Sequence, residues 1–310
     1  MKKIKTKKEN RIKDRLGGIG IVSFVVIAVY CLSLILVLYW GLLTSVKYQF
    51  DFKDGNFLFG FPRKSLENGY PGWYFENYSE AFRMLFIEVA RKGQRPRQVF
   101  IYEMYFNSLL IATAFSFFKM FISMTVAYCV SKFEFKLGKV IYAFAIFVML
   151  IPIVGSLASE LDLSLSLGLY DNFFGVCLMK TDYTGIYFLV FYAAFKGISW
   201  TYAEAAEIDG ANYYLIYFKI MIPLVLSTAS AVFVLQFIMY WNDYYIQMMF
   251  LPSMPTVAYG LYYFQFSYQQ SSTIPNTIAA AMLACIPTLI IFIIFRNKIM
   301  GNLAIGGIKG

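Results

Sequence analysis

The sequence predicts an all-α protein that crosses a membrane six times and keeps both termini in the cytoplasm. Three observations predict this fold. Of the 310 residues, 59% are apolar and 20% aromatic, and only 15% are charged, against ~25% in a typical soluble domain. The apolar residues form runs long enough to cross ~30 Å of hydrocarbon as helices. Lysine and arginine gather at the N-terminus and in short loops, as they do in cytoplasmic segments.

The first apolar run is predicted to be an uncleaved span, because it exceeds the ~7–15 apolar residues of a signal peptide. The polar stretch that follows is predicted to carry short helices, such as one over residues 77–89. In order, the predicted segments are a basic cytoplasmic tail (1–17), a first transmembrane helix (18–46), an extracellular loop (47–104), a core with five transmembrane helices (105–299) and a cytoplasmic C-terminal tail (300–310).

The charges of the short loops orient the core. Lys132, Lys136 and Lys139 place the loop after the second span inside, and acidic residues, among them Asp182, follow the third span outside. Pro152 is predicted to kink the third span. Pro223 is predicted to open the fifth in its first turn, where the missing N–H costs nothing. The five core spans are predicted at 105–130, 140–159, 184–200, 223–249 and 277–295.

The residue inventory excludes several classes of activity. The chain has no histidine, and its four cysteines are widely spaced, so neither a metal site nor a disulfide framework is predicted. The Gly-x-x-x-x-Gly-Lys-Ser/Thr phosphate loop does not occur in the sequence, so the chain is predicted to bind no ATP of its own. The net charge of +9 is not collected on one face or arm, so nucleic acid is not a predicted partner.

A charged stretch, Glu204-Ala-Ala-Glu-Ile-Asp-Gly-Ala-Asn212, interrupts the apolar runs. Three carboxylates so close together would be costly in hydrocarbon, so this stretch is predicted to lie outside the membrane. A helix is predicted over 202–208, with a break at Gly210 and a second helix capped by Asn212. Four aromatic residues fall on or near one face of that second helix: Tyr213, Tyr214, Tyr217 and Phe218. Taken alone, these rings fit a headgroup anchor and a protein-docking surface equally well.

The pattern Glu-Ala-Ala, Asp-Gly-Ala and then Ile-Pro-Leu resembles the EAA loop of permease subunits of binding-protein-dependent ABC importers. Further matches to the carbohydrate branch of that family, which includes the smaller maltose permease, cover nearly all of the chain after Tyr105. They are Phe106-Asn107-Ser108, Ala127-Tyr128, Lys132-Phe133-Glu134-Phe135, Pro152, Gly168-Leu169-Tyr170-Asp171, Phe195, Trp241-Asn242, Pro287 and the tail Gly301 to Gly310. Two positions depart from the family pattern: no proline precedes Glu204, and Asp243 stands where glutamate is usual.

The resemblance implies a membrane subunit of the bacterial cell membrane that works with four kinds of partner. These are a second homologous permease, two cytoplasmic ATP-binding subunits that carry the ATP and Mg²⁺, an extracellular solute-binding protein and a sugar. It also implies that the EAA loop is a coupling helix seated on the ATPase, between spans four and five. The implied coupling residues are Glu204, Ala205, Ala206, Asp209, Gly210, Tyr213, Tyr214, Tyr217, Phe218 and Lys309.

A sugar path needs polar groups for hydroxyls and aromatic faces for sugar rings. The candidates are Asn107, Lys119, Trp241, Asn242, Asp243 and Gln247. Each has a structural alternative: Lys119 as a snorkelling lysine, Trp241 as a belt residue and Asn242 as a helix–helix contact. If Lys119 faces a cavity, its expected partners are Asp243, a carboxylate of the second permease or an acidic sugar.

Two other classes of protein compete with the importer. A stand-alone secondary transporter or channel would need a coupling-ion site, for which Lys119 and Asp243 are the few intramembrane ionisable candidates. A membrane-embedded enzyme would need a nucleophile–base set or paired carboxylates at one depth, and the sequence offers none. The sequence therefore favours a non-enzymatic transport subunit.

Overall fold

The computed structural model describes residues 2–90, 95–151, 155–267 and 273–303, with side chains over 20–90, 95–151, 155–266 and 273–294. Pro152 and Lys309, to which a kink and a coupling role were assigned, lie outside these residues. The helices in chain order are α1 (Lys2–Ser45), α2 (Gln49–Lys53), α3 (Glu76–Met84), α4 (Ile101–Lys132), α5 (Lys136–Leu150), α6 (Leu157–Ser166), α7 (Phe173–Lys180), α8 (Ile186–Lys196), α9 (Thr201–Ile208), α10 (Tyr213–Ile216), α11 (Ile222–Asn242), α12 (Tyr245–Phe250), α13 (Val257–Ser267) and α14 (Ile274–Leu303).

The prediction of a mostly helical membrane protein is confirmed. Within the described residues, four helical stretches are long and apolar enough to cross a bilayer. They are Gly20–Ser45, Ile101–Lys132, Tyr213–Asn242 and Ile274–Ile294. The third and fourth predicted spans correspond to the shorter helices α5 and α8. The number of crossings therefore stays a prediction.

The continuous helix predicted over 140–159 is interrupted. Helix α5 ends at Leu150, and Ile151 is extended, with φ −89° and ψ 114°. Because the ring of a proline disfavours helical backbone in the residue before it, Pro152 in the sequence explains why Ile151 leaves the helix. The chain resumes helical structure at Leu157.

The fifth span does not begin at Pro223. The helix already runs from Tyr213 and continues to Asn242, through a π-helical turn (Tyr217–Met221) that joins α10 to α11. Pro223 has no N–H to donate to the carbonyl four residues earlier. In the wider turn the N–H of Ile222 bonds instead to the carbonyl of Tyr217, five residues back. This rearrangement carries the helix through the proline.

Short strands add to the helices in the stretch predicted as an extracellular loop. Strand β1 (Lys64–Ser65) pairs antiparallel with β2 (Tyr70–Pro71). The helix predicted over 77–89 is partly wrong, because α3 ends at Met84 and β3 (Phe86–Val89) pairs antiparallel with β4 (Arg97–Phe100). Residues of β3 alternate, with Ile87 and Val89 buried, which is the period of a strand and not of a helix.

The chain groups into two compact units, Met1–Phe82 with Ser271–Leu283 and Arg83–Gln270 with Ala284–Gly310. In the first unit, α1 approaches the beginning of α14 closely at Gly41. A Cβ there would lie 2.9 Å from the Cε atom of Met282, so a larger residue at position 41 would require the flexible Met282 side chain to shift. The Asn276 amide donates to the Glu80 carboxylate at 2.8 Å, which ties α14 to α3.

The core of the second unit forms around α4, which packs against α8 and α11. Helix α8 contributes Phe188, Phe191 and Phe195, all fully buried. The ring of Tyr128 on α4 lies 5.4 Å from that of Phe195 and 4.7 Å from that of Tyr217. This aromatic cluster lies under the stretch between α8 and α11, and so supports the segment that carries the three carboxylates.

Candidate functional site

The predicted helix–turn–helix is present at residues 201–216. Helix α9 ends at Ile208, and Gly210 takes the left-handed backbone, with φ +83°, that glycine adopts without strain. The Asn212 side chain accepts a hydrogen bond from the Leu215 N–H at 2.8 Å. This N-cap starts α10, as predicted.

The helix–turn–helix is fastened to the core by its small and apolar residues. Ala203 and Ala206 of the first helix are buried, as is Ile216 of the second. Phe133, directly after α4, touches both sides of the motif, since its ring lies 5.9 Å from that of Trp200 and 5.7 Å from that of Tyr213. Phe133 therefore holds the motif both just before its first helix, at Trp200, and at the start of its second helix, at Tyr213.

A second contact from α4 fixes the approach to the motif. The Lys132 ammonium donates to the Ile198 carbonyl at 2.5 Å. From the sequence, Lys132 is predicted only to orient the chain, and Phe133 has no predicted role. Both lie in the stretch Lys132-Phe133-Glu134-Phe135, so the signal was present in the sequence but its contacts depend on tertiary packing.

The outward surface of the motif is apolar at its tip and acidic beside it. Ile208 is 86% exposed, Tyr213 56% and Tyr214 78%. We call these three residues the apolar tip. Glu204, Ala205, Glu207, Asp209 and Gly210 are exposed around it. Ile208 was missed as a candidate, although a lone isoleucine between two carboxylates is unusual on a solvated surface.

Tyr217 does not share the exposed face assigned to it. It is 6% exposed, and its hydroxyl lies 2.7 Å from the Thr125 hydroxyl. The N–H of Tyr217 bonds to the Tyr213 carbonyl four residues back, so α-helical spacing holds as far as Tyr217. Tyr217 lies one turn further along the helix, where its ring packs against that of Tyr128 on α4. Phe218 remains half exposed, with its ring 6.5 Å from that of Phe121.

Lys119 pairs with a residue that is not among its expected partners. Its ammonium lies 2.6 Å from the Asp182 carboxylate, and the two side chains are 13% and 51% exposed. The Thr184 N–H also donates to Asp182, at 2.7 Å, and holds the carboxylate in place. Asp243, one of the three expected partners, accepts instead from the N–H groups of Tyr245 and Ile246 at 2.7 and 2.9 Å.

The remaining path candidates make structural contacts. Trp241 is buried, with its ring stacked 5.8 Å from that of Phe237. Asn107 donates to the Pro255 carbonyl at 3.1 Å, and exposed Asn242 donates to the carbonyl one turn earlier in its own helix. Gln247 is fully buried, and its amide has no hydrogen-bond partner among the described residues.

Among the described residues, no side-chain hydrogen bond, ion pair or ring contact joins any two of the six path candidates, although Trp241, Asn242 and Asp243 are consecutive in the chain. The candidate site with definite geometry is thus the helix–turn–helix, a rigidly held exposed motif between two apolar helices. An exposed motif of this kind between apolar helices is typical of a helical membrane protein, and the docking of a partner on it stays a prediction.

Comparison with known proteins agrees with this class. Residues 119–304, more than half of the chain, match the family of binding-protein-dependent transport system inner membrane components. The chain belongs to this family. The predictions of a permease subunit located in the membrane, without an ATPase of its own, are therefore confirmed, and the stand-alone secondary transporter is not favoured.

Individual relatives are named as sugar permeases. The arabinooligosaccharides transport system permease protein AraQ of Bacillus subtilis is 26% identical over 212 residues, 67% of this chain and 74% of that protein. The melibiose/raffinose/stachyose import permease protein MelC of the same organism is 25% identical, over 76% of this chain and 81% of that protein. Among solved structures, a chain of a bacterial ABC transporter involved in the import of the acidic polysaccharide alginate shares the fold, with 20% identity, a TM-score of 0.70, and coverage of 90% of this chain and 95% of that chain.

Proposed function

We propose that this chain is one of two homologous permease subunits of an ABC importer for a sugar or oligosaccharide. Six helices cross the membrane, both termini lie in the cytoplasm, and the helix–turn–helix at 201–216 is the coupling helix between spans four and five. Two cytoplasmic ATPase subunits and an extracellular solute-binding protein complete the assembly. The relatives named for arabinooligosaccharides and for melibiose, raffinose and stachyose support the substrate class.

The observation that carries the proposal is an exposed apolar tip that is supported by buried residues. Ile208 and Tyr214 are largely exposed while Ala203, Ala206 and Ile216 are buried. A solvated charged surface would not need large apolar residues at its apex, whereas a knob that seats in a partner's cleft gains affinity from them. Because Ala203, Ala206 and Ile216 pack in the same buried cluster as residues of α4 and α8, movement of the apolar tip is transmitted to those helices.

The Lys119–Asp182 pair supports a neutral cargo. A lysine within a membrane span needs an anionic partner, and an acidic sugar is one of the expected partners of Lys119. The chain supplies that anion itself, 2.6 Å away. Lys119 then has a structural role, and selectivity for an acidic sugar is not required of it. The tail at 300–310, with Lys309, is proposed to reach the ATPase interface as well.

Purification of the membrane complex tests this assignment. The native chain should bring down an ATPase and a second permease in mild detergent, identified by mass spectrometry. Tyr213→Ala with Tyr214→Ala should lose most of the ATPase and keep the second permease. Phe174→Ala, which removes a 76% exposed aromatic from α7, is the matched control and should lose neither. Full ATPase recovery with the double variant contradicts the coupling assignment.

A further inference from the structure

The first unit presents an unusual run of exposed apolar side chains, which we call the apolar segment (residues 57–61). Phe57 is 51% exposed, Leu58 58%, Phe59 44% and Phe61 63%. Four large apolar residues within five positions form a patch of the kind that marks a contact surface. The segment lies between α2 and β1 and belongs to neither.

The apolar segment is attached to the first transmembrane helix near the end of its membrane-spanning part. The ring of Phe59 stacks on that of Tyr39 at 6.3 Å, with 12° between the planes. The Trp40 indole N–H donates to the Phe57 carbonyl at 2.8 Å. Phe57 and Phe59 of the segment therefore lie beside Tyr39 and Trp40 of α1.

Tyr39 and Trp40 lie close to the expected edge of the hydrocarbon. About twenty helical residues cover its ~30 Å, and counted from residue 18, where the first span is predicted to begin, they end at Val37. Tyrosine and tryptophan concentrate at this boundary. Residues from Leu43 to Lys47 are buried within the first unit, so the end of α1 packs in folded protein.

A buried polar network holds the apolar segment in this position. The ammonium of Lys47, which is fully buried, donates to the carbonyls of Asn56 and Leu58 at 2.7 Å each, and burial lowers its pKa. The fully buried Asp51 carboxylate accepts from Arg63 at 2.5 Å and from Asn56 at 3.0 Å. Both ends of the segment are thus pinned, so its exposed side chains do not follow from a loose loop.

We propose that the apolar segment inserts into the bilayer interface beside the first transmembrane helix and anchors the first unit to the lipid. Its side chains suit the boundary between acyl chains and headgroups, where aromatic and aliphatic residues of interfacial segments are buried ~5–10 Å deep. Exposed cations at Lys53 and Lys64 flank it, and cations at headgroup level favour lipid phosphates. Asp54, the nearby exposed carboxylate, is engaged by the Tyr70 hydroxyl.

Fluorescent labelling of the assembled importer in lipid nanodiscs tests the anchor. Single cysteines at Leu58→Cys and Phe59→Cys, in a chain whose native cysteines are alanine, receive an environment-sensitive dye. Leu66→Cys is the matched control, because Leu66 is 96% exposed at the turn between β1 and β2. Copurification with the ATPase verifies the fold of each labelled chain. Two quenchers are compared, a phosphatidylcholine with a nitroxide near its headgroup and aqueous iodide.

The anchor predicts at least about threefold stronger quenching by the nitroxide lipid at both segment positions than at Leu66, and weaker quenching by iodide, since the dyes lie in the interface. Equal quenching by iodide at all three positions would overturn the proposal. So would protection of the segment from iodide that arises only when the solute-binding protein is added, because the segment would then be a protein-docking surface.

Discussion

Replacement of Ile208 by alanine should weaken binding of the ATPase by about 30-fold. The change removes three carbons, each worth ~0.8 kcal/mol when buried. Ile208 is 86% exposed in this chain, so seating it in a cleft buries most of this group and the loss approaches ~2 kcal/mol, or about 30-fold in the dissociation constant. Because the side chain makes few contacts within the chain, the fold should be unaffected.

The assay is the affinity of the copurified ATPase for the nanodisc-embedded permease, measured by biolayer interferometry. Leu66→Ala is the control, since it also removes three carbons from a side chain that is 96% exposed but lies in the first unit. Its affinity should equal that of the native chain. An affinity within twofold of native for Ile208→Ala would refute the reasoning that the apolar tip is the docking surface.

Two further predictions concern residues whose expected roles changed. Tyr217→Ala should destabilise the isolated permease by ~3–5 kcal/mol, as loss of a buried aromatic does, whereas exposed Tyr214→Ala should leave its thermal unfolding unchanged; equal unfolding temperatures would contradict the buried placement. Lys119→Gln should lower the free energy of unfolding by about 1–2 kcal/mol, a value between those of exposed and buried ion pairs. Lys119→Gln with Asp182→Asn should recover part of this stability. No recovery in the double variant would show that the pair is not coupled.

The local features of the helix–turn–helix could be predicted because short-range chemistry determines them. Asn212 caps a helix, Gly210 takes a positive φ, and alanines with glutamates favour α9. Each of these depends on residues within one turn of the chain. The burial of Tyr217 could not be predicted in the same way, because it depends on Thr125 and Tyr128 of α4, which are distant in the chain.

Long-range contacts explain the other differences. The partner of Lys119 is Asp182, 63 positions further along the chain, and the prediction had placed that carboxylate in an external loop. Trp241 and Asn107 are polar or aromatic residues in apolar helices, which is equally true of packing and of lining residues. In the structure Trp241 stacks on Phe237 and Asn107 bonds to the Pro255 carbonyl, contacts that the sequence does not reveal.

The loop after the first span shows a third kind of difference. Its mixed charge indicated a solvated segment, yet Lys47 and Asp51 are fully buried. Composition reports how many charges a segment has and not which of them are paired. The Asp51 carboxylate meets Arg63, and the Lys47 ammonium meets two carbonyls. These contacts turn a polar stretch into a folded unit that holds apolar residues outward.

Uptake of a labelled neutral oligosaccharide into proteoliposomes tests the central claim most directly. The complete importer is reconstituted with ATP inside the vesicles and the solute-binding protein outside. Uptake should require both ATP and the solute-binding protein. It should fall strongly with Ile208→Ala and persist with Lys119→Gln plus Asp182→Asn. Uptake by this chain alone, driven by an ion gradient without ATP or the ATPase, would contradict the central claim.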